Sequence, residues 1–313
     1  TGLARCYFLQ AQIHWQFGNH TQAEHNIKQV VAFDAPLRYR GQVLSLYGQI
    51  AKLRCEYDRA EKLVREALQV YEARKDSGNQ TQSWIDLSIL KTLLGDYTNA
   101  LVFSRQALSL SLKIDDQNRT VDALSQMGWT YLQADSLPQA VANLKKAITL
   151  FPRNHTRNRA NTYIILGEAY LKQRRLQQAR KNFLHAEEIA HSGNLKIIQV
   201  ESRIGQGWVA LAENHAGHAQ ALFTSALDLA QRIHEENLAA QSLYGISVAQ
   251  KQTGNREDAL QTLERALAIG ETLRTSLRDD SVRVSYFSAR QDWFDDAILL
   301  ASELQQPKRA FHY

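Results

Sequence analysis

The chain has 313 residues, of which 44% are hydrophobic and 22% are charged, and its formal net charge is +5 at pH 7. No apolar run approaches the ~18 residues of a membrane-spanning helix, and only 4 prolines leave little room for turn-rich β architecture. Two cysteines, Cys6 and Cys55, are too few for a disulfide framework. We therefore expect a cytoplasmic protein without a membrane segment, in which both cysteines lie buried on helices.

An alanine that follows a turn-like stretch recurs through most of the chain. The step from one of these alanines to the next is nearly constant, at roughly 40 residues, and a small residue lies twelve positions before each of them. A period held over seven copies indicates a repeat architecture. The seven alanines are Ala23, Ala60, Ala100, Ala140, Ala179, Ala219 and Ala259.

Each copy reads as two helices. Apolar residues recur at steps of three and four, which is typical of amphipathic helices rather than strands. The stretches Gly95-Asp96-Tyr97 and Gly254-Asn255-Arg256 place glycine at a helix end and Asp or Asn near the next helix start. A lone helix pair cannot bury both of its faces, so the sequence predicts stacked pairs with a continuous core.

The residue pattern of these copies resembles the tetratricopeptide repeat family, although the period is longer than the ~34 residues usual there. Similar long repeats occur in kinesin light chains, in LGN-type adaptors and in bacterial proteins with a caspase-like CHAT domain. Copies one, three and seven depart from the pattern, with His14, Lys91 and Gln250 at the position where an aromatic residue is usual. The fourth copy carries the pattern most completely, in Gly128, Tyr131, Ala140, Leu144, Ala147 and Pro152, and the fifth follows in Gly167, Tyr170, Ala179, Phe183 and Ala186.

This resemblance covers Leu3–Gly270 and implies an all-α fold. We expect a right-handed superhelical solenoid of about seven helix pairs in residues 1–270, followed by C-terminal capping helices in residues 271–313.

The tail, Leu273–Leu304, resembles the helical segment that follows the repeats in bacterial CHAT-domain proteins. The alternative is a helix pair that only covers the apolar face of the last repeat. The catalytic His and Cys of that family would lie in a downstream domain, and the start without Met fits a fragment of a longer protein. The matching residues are Leu277, Arg278, Arg283, Tyr286, Phe287, Gln291 and Phe294, with Ala297 or Ile298 at the end.

No segment shows the pattern of an active site. His215 and His218 lie in a turn stretch without a nearby Cys or a converging acid, whereas a catalytic zinc site needs three protein ligands. The GxG of Gly205 and Gly207 lacks the third glycine of a dinucleotide-binding turn, so we interpret both glycines as packing positions. The sequence therefore predicts no catalytic, cofactor-binding or metal-binding residues and no enzymatic activity in this chain.

The first helix of each copy lines the concave face in the resembled family, and its exposed positions give the candidate partner-binding residues. Trp129 and Trp208 occupy equivalent positions two copies apart. Aromatic residues flanked by glutamine are typical of protein-recognition surfaces, although tryptophans at these positions could also pack between neighbouring helices. The candidates are Gln12, Trp15, Gln49, Lys52, Ile89, Trp129, Glu168, Lys172, Trp208 and Tyr244.

The function that follows is a non-catalytic scaffold for protein–protein interaction, which the resemblance makes the regulatory part of a CHAT-type protease. The resemblance implies a CRISPR-type RNA-guided effector protein, or the protein's own protease domain, as partner. A stand-alone adaptor and a peptide-sensing regulator are alternatives. Residues 145–181 contain ten Lys and Arg against Glu168 alone, but their distribution over a connection, a turn and an outer helix disfavours nucleic-acid binding.

Overall fold

A computed structural model of the chain describes residues 2–16, 19–32, 37–152, 155–276 and 290–310. These residues contain sixteen helices and no strand, and consecutive helices pack in pairs, which confirms the predicted all-α fold of helix pairs. Two compact units, residues 1–134 and 135–313, divide the chain. The fourth predicted pair is split, because its first helix belongs to unit 1 and its second helix to unit 2.

Counted over the described residues, unit 1 contains seven helices and unit 2 contains nine. Helix α14 continues past residue 270, the predicted end of the repeats. The helices of unit 1 are α1 (Gly2–Gln16), α2 (His20–Ala32), α3 (Leu37–Leu53), α4 (Tyr57–Ala73), α5 (Ser77–Leu93), α6 (Tyr97–Lys113) and α7 (Gln117–Gln133). Those of unit 2 are α8 (Leu137–Leu150), α9 (Thr156–Lys172), α10 (Leu176–Ser192), α11 (Lys196–Ala212), α12 (Ala216–Arg232), α13 (Glu236–Gln252), α14 (Arg256–Ser276), α15 (Gln291–Glu303) and α16 (Pro307–Ala310).

Successive helices end in the same kind of turn. After α5, the Gly95 N–H donates to the Thr92 carbonyl (3.1 Å) and the Asp96 N–H to the Lys91 carbonyl (2.9 Å), with Gly95 at φ 76°. This is the Schellman motif, which satisfies two carbonyls at the helix end. Gly254 takes the same conformation (φ 87°), so the predicted role of both glycines is confirmed.

The prediction for the cysteines is wrong. Cys55 occupies the left-handed position of the turn after α3, at φ 59°, and is only partly buried. Cys6 lies on α1 but is exposed. The same left-handed position recurs from one turn to the next with Lys, Asp, Arg, Asn or His in it, so chain geometry rather than hydrophobicity places Cys55.

The core of each pair is built around the repeated small residues. All seven alanines of the repeat are fully buried (0% exposed). In unit 2, a Cβ atom built at Gly207 would lie 2.7 Å from the Phe223 ring, and one at Gly205 would overlap the Phe183 ring. Both glycines therefore are packing positions, as predicted, because a larger residue would collide with a buried ring.

Candidate functional site

A groove of about 820 Å³ opens at the ends of the first helices of unit 2. Helices α9, α11 and α13 have equal length and hold the same place in successive copies of the repeat, so their last residues, Lys172, Ala212 and Gln252, lie side by side. The groove residues are Asp135, Leu137, Leu171, Lys172, Arg174, Trp208, Leu211, Ala212, Val248, Lys251, Gln252 and Asp296. We call this the unit 2 groove.

Trp208 forms the aromatic part of this groove. Its ring meets Phe223 edge-on, with 5.2 Å between centroids, and lies 5.7 Å from the tilted ring of Tyr244. Tyr244 in turn stacks on Trp293 of α15 at 4.9 Å. Trp208 therefore packs between neighbouring helices and also remains partly exposed in the groove, while its role in binding a partner stays a prediction.

Asp296 of α15 forms the polar contact between α13 and α15. The Tyr244 hydroxyl donates to its Oδ2 atom (3.0 Å), and Lys251 Nζ donates to its Oδ1 atom (2.8 Å). Burial raises the pKa of Tyr244 and the negative charge of Asp296 adds to the increase, so the phenol stays protonated and remains a donor. Sequence reasoning missed Asp296 because it follows the repeats, where no period marks its place.

One end of the groove carries exposed positive charge. Lys172 Nζ lies 3.8 Å from Asp135 Oδ1, and both side chains are more than half exposed. Arg174 follows in the turn after α9 with φ 58°, and it makes no ion pair within the part of the chain that the structure describes. An exposed ion pair contributes little free energy, so Lys172 can exchange Asp135 for a negatively charged ligand at low cost. Arg174 can pair with the same ligand.

Two acidic residues, Glu168 on α9 and Glu201 on α11, lie further from the helix ends that border the groove. Desolvation by the surrounding helices raises the pKa of the Glu168 carboxyl, and the positive charge of Lys172 opposes the increase. Because the Glu168 side chain is exposed, we expect water to limit this effect. On α11, desolvation and then the charges of Glu168 and Glu235 raise the pKa of Glu201 to about 7.

In unit 1, two predicted residues lie next to a buried carboxylate. Asp86 is 6% exposed, and burial raises its pKa, against the charge of Lys52 and hydrogen bonds from Gln82 and Gln49. Gln82 Nε2 donates to Asp86 Oδ1 at 3.2 Å. Sequence reasoning missed Asp86, because a polar residue on the first helix looks like an exposed one.

The other predicted residues of unit 1 are spread over separate helices. Trp15 packs on the cluster formed by α1, α2 and α3, and Ile89 packs against the apolar cluster that contains Ile85. Gln12 is exposed and Trp129 is partly buried. Of the ten candidates, the unit 2 groove includes Lys172 and Trp208, with Tyr244 directly behind Trp208 and Glu168 one turn before Lys172.

The basic stretch divides among several elements of unit 2. Lys145 and Lys146 are exposed on α8, while Arg174 and Arg175 lie in the turn before α10. On α10, Arg180 forms an ion pair with Glu213. These positions form no continuous basic surface along one element.

Metal binding and membrane crossing find no support in the described ranges. No group of three or more His, Cys, Asp and Glu side chains there could hold a metal ion. Among the same residues, every helix is too short or too polar to cross a bilayer.

Family models and solved structures agree on the repeat. One model described as tetratricopeptide repeat matches residues 80–153, and a second with the same description matches residues 4–36, 160–190 and 240–269. A search of curated protein sequences gives no match.

Three solved structures illustrate the similarity. The apo form of the quorum sensor NprR from B. thuringiensis has 14% identity and a TM-score of 0.72, covering 99% of this chain and 85% of that chain. The Rap conjugation gene regulator of plasmid pLS20 in complex with the Phr* peptide has 14% identity and a TM-score of 0.70, covering 88% of this chain and 76% of that chain. A Rap protein complexed with Competence and Sporulation Factor has 10% identity and a TM-score of 0.65, covering 100% of this chain and 96% of that chain. Identities this low show the fold alone.

Proposed function

We propose that this chain, which is built of tetratricopeptide repeats, is a non-catalytic scaffold that binds a short peptide segment of a partner in the unit 2 groove. The observation that carries the proposal is the groove itself, with partly exposed Trp208 at the end of α11. Its volume of about 820 Å³ falls within the range of roughly 300–1,000 Å³ typical of ligand sites.

The groove combines a rigid apolar surface with exposed positive charge, and both are features of a peptide-binding site. Trp208 is held on two sides by Phe223 and Tyr244, so little side-chain entropy is lost when a ligand covers it. Leu171, Leu211 and Val248 add apolar surface. The exposed cations at the end of α9 would pair with an acidic residue of the peptide, giving orientation more than affinity.

The test is a pull-down with the full chain, followed by affinity measurement on a labelled fragment of the captured protein. We expect Trp208→Ala to weaken binding at least tenfold, which corresponds to about 1.4 kcal/mol. Lys172→Ala should weaken it less, whereas Lys181→Ala, an exposed lysine on the outer helix α10, serves as the matched control. Unchanged binding in Trp208→Ala, with helicity retained, would show that the groove is not the site.

The candidates of unit 1 lie outside the unit 2 groove and stay predictions. Trp129→Ala is the direct comparison, since Trp129 holds in α7 the repeat position that Trp208 holds in α11. A loss of binding in Trp129→Ala would show that Trp129 of unit 1 also contributes to binding.

A finer proposal is that the chain is the regulatory part of a CHAT-type protease. The support is the sequence pattern of the tail, of which Leu277–Phe287 lie outside the described residues. Among the described ones, Phe294 packs against the cluster of α13, α14 and α15, and Gln291 is exposed. Co-purification with a candidate RNA-guided effector protein, or with a protease domain encoded next to the repeats, tests this; failure of both would reject it.

A peptide-sensing regulator has equal support. Two of the solved structures above contain a bound peptide or factor by their descriptions, and a third is a quorum sensor. Tight binding of a free short peptide would favour this function, and binding only of a folded protein would favour the scaffold. A binding constant that falls steeply with salt would instead indicate nucleic acid.

A further inference from the structure

Helix α15 is firmly attached to the last helix pair. Its side chains Trp293, Ala297, Leu300 and Ala301 are 7%, 0%, 0% and 0% exposed, and they share one apolar cluster with residues of α13 and α14. Removal of apolar side chains from water favours packing, so Trp293 and Leu300 help to hold the helix against the last pair.

Ion pairs add to this attachment. Arg256 at the start of α14 pairs with Glu303 of α15 (2.8 Å), and Arg309 of α16 pairs with Glu264 (2.6 Å) and Glu257 (3.1 Å) of α14. Helices α15 and α16 are therefore an integral part of unit 2.

The same helix contributes directly to the unit 2 groove. Asp296 is one of the groove residues, and each of its carboxylate oxygens accepts a hydrogen bond from α13, one from Tyr244 and one from Lys251. The Lys251 and Asp296 side chains are only 29% and 25% exposed. Lys251, which also lines the groove, thus has its charge compensated and its direction fixed by α15.

A second path joins α15 to the groove through stacked rings. Trp293 of α15 stacks on Tyr244 at 4.9 Å with 20° between the planes, and Tyr244 lies 5.7 Å from Trp208. Tyr244 is the middle ring, and its hydroxyl is held by Asp296. Loss of α15 would free Tyr244 on one face and remove the support behind Trp208.

We propose that α15 forms a wall of the peptide-binding groove and that Asp296 is a positioning residue, which holds Lys251 and Tyr244 and, through Tyr244, Trp208. Docking of α15 and binding of the peptide then stabilise each other, because coupling between two binding events is reciprocal. This inference rests on the proposed peptide-binding function. The opposite role, in which Asp296 competes with an acidic ligand for Lys251, would make binding tighter once the Asp296 charge is removed.

The decisive variant is Asp296→Asn in the full chain. The amide keeps nearly the same shape and an oxygen that can accept from Tyr244, but it removes the negative charge beside Lys251. Asp295→Asn is the matched control, because it makes the same change at the adjacent, exposed residue of α15. The probe is a peptide selected by phage display on the unmodified chain.

We expect Asp296→Asn to weaken binding of the selected peptide at least fivefold and Asp295→Asn to change it less than twofold. Hydrogen exchange of the amides in Gln291–Glu303 provides the readout that a purely structural role would not move. The peptide should slow exchange in α15 of the unmodified chain, and the slowing should be smaller in Asp296→Asn.

The outcomes separate the two proposals. If Trp208→Ala binds the selected peptide as tightly as the unmodified chain does, the groove is not the site and both proposals fail. If Trp208→Ala loses binding but Asp296→Asn does not, only the role of α15 is wrong. Tighter binding in Asp296→Asn would also overturn it, because it would show that Asp296 competes with the ligand.

Discussion

The two units solve the same packing problem in different ways. Fourteen positions before the alanine of the second helix, two copies have the polar residues Asp86 and Gln126 in unit 1, whereas two copies have Gly205 and Gly245 in unit 2. All four residues are buried and face the preceding helix pair. The repeat therefore specifies where helices approach one another but leaves open whether polar groups or rings fill the space.

In the two copies with Asp86 and Gln126, hydrogen-bonded side chains fill this space. Gln126 Nε2 donates to the hydroxyls of Thr92 (3.2 Å) and Thr130 (3.3 Å), and the two hydroxyls bond to each other at 2.8 Å. The Ser88 hydroxyl donates to the Ala100 carbonyl across the helix pair (2.8 Å). Buried polar groups are stable only when paired in this way.

Unit 2 fills it with aromatic rings. Phe183 lies against Gly167 and Gly205, and Phe223 against Gly207 and Gly245, and each ring is at most 1% exposed. The glycines contribute no side chain, so the stability of these contacts depends on the rings. Unit 2 should thus respond to loss or displacement of a ring more strongly than unit 1 responds to loss of one hydroxyl.

The largest effect is expected for Phe223→Ala. Removing a fully buried ring leaves a cavity between two glycines that cannot fill it, and such changes cost about 3–5 kcal/mol. Because the chain has two compact units, unfolding can proceed in more than one step. Hydrogen exchange localised to α11–α13 during urea unfolding is the suitable measurement, and faster exchange confined to α3–α5 would contradict the prediction.

Gly205→Ala tests a ring–glycine contact by enlarging the glycine, which lies on α11 against the Phe183 ring of α10. The added methyl group overlaps the Phe183 ring, and overpacking of this kind costs about 1–3 kcal/mol despite the better helix propensity of alanine. Gly217→Ala is the control, since no atom lies within 4 Å of its added Cβ. Adding Phe183→Leu to Gly205→Ala replaces the ring by a smaller side chain and should restore part of the lost stability. If it restores none, the clash with the ring is not the cause.

The sequence predicted those features that repeat along the chain. The buried alanines, the helix pairs and the packing roles of Gly205 and Gly207 follow from the period of the repeat, because each copy meets an equivalent neighbour. A polar residue such as Asp86 carries no local signal of burial, since its environment is set by the preceding helix pair.

The groove shows the same division. Trp208 and Lys172 were predicted from their repeat positions, and both line the unit 2 groove. Asp296 belongs to a helix outside the period and meets Tyr244 and Lys251 across 52 and 45 residues of chain. Contacts at that separation depend on how α15 folds back, which no spacing in the sequence encodes.

Thr130→Val should have a smaller effect, in unit 1. Valine has nearly the shape of threonine but lacks the hydroxyl, while Gln126 keeps its bond to Thr92, so we expect a loss of about 1 kcal/mol. Thr224→Val, at an exposed position of α12, should change stability by less than about 0.5 kcal/mol. Urea unfolding followed by circular dichroism measures both, and equal effects would refute the polar network as a source of stability in unit 1.

The smallest effect concerns Glu201, whose raised pKa makes unit 2 sensitive to pH. Its pKa is about 7 in the folded chain against an ordinary value of 4.5, because of desolvation and then the charges of Glu168 and Glu235. The folded state therefore binds the proton more tightly, so stability is highest below the ordinary pKa and falls as the pH rises towards about 7.

Water reaches part of the Glu201 side chain, so we expect the total loss to stay below about 1 kcal/mol. Glu201→Gln should flatten this pH dependence, because glutamine has no proton to lose, and it should raise stability at pH 7 relative to the unmodified chain. Urea unfolding between pH 5 and 7 tests both points. A pH dependence that stays equally steep in Glu201→Gln would mean that another group of unit 2 is responsible, with Glu168 the next to replace.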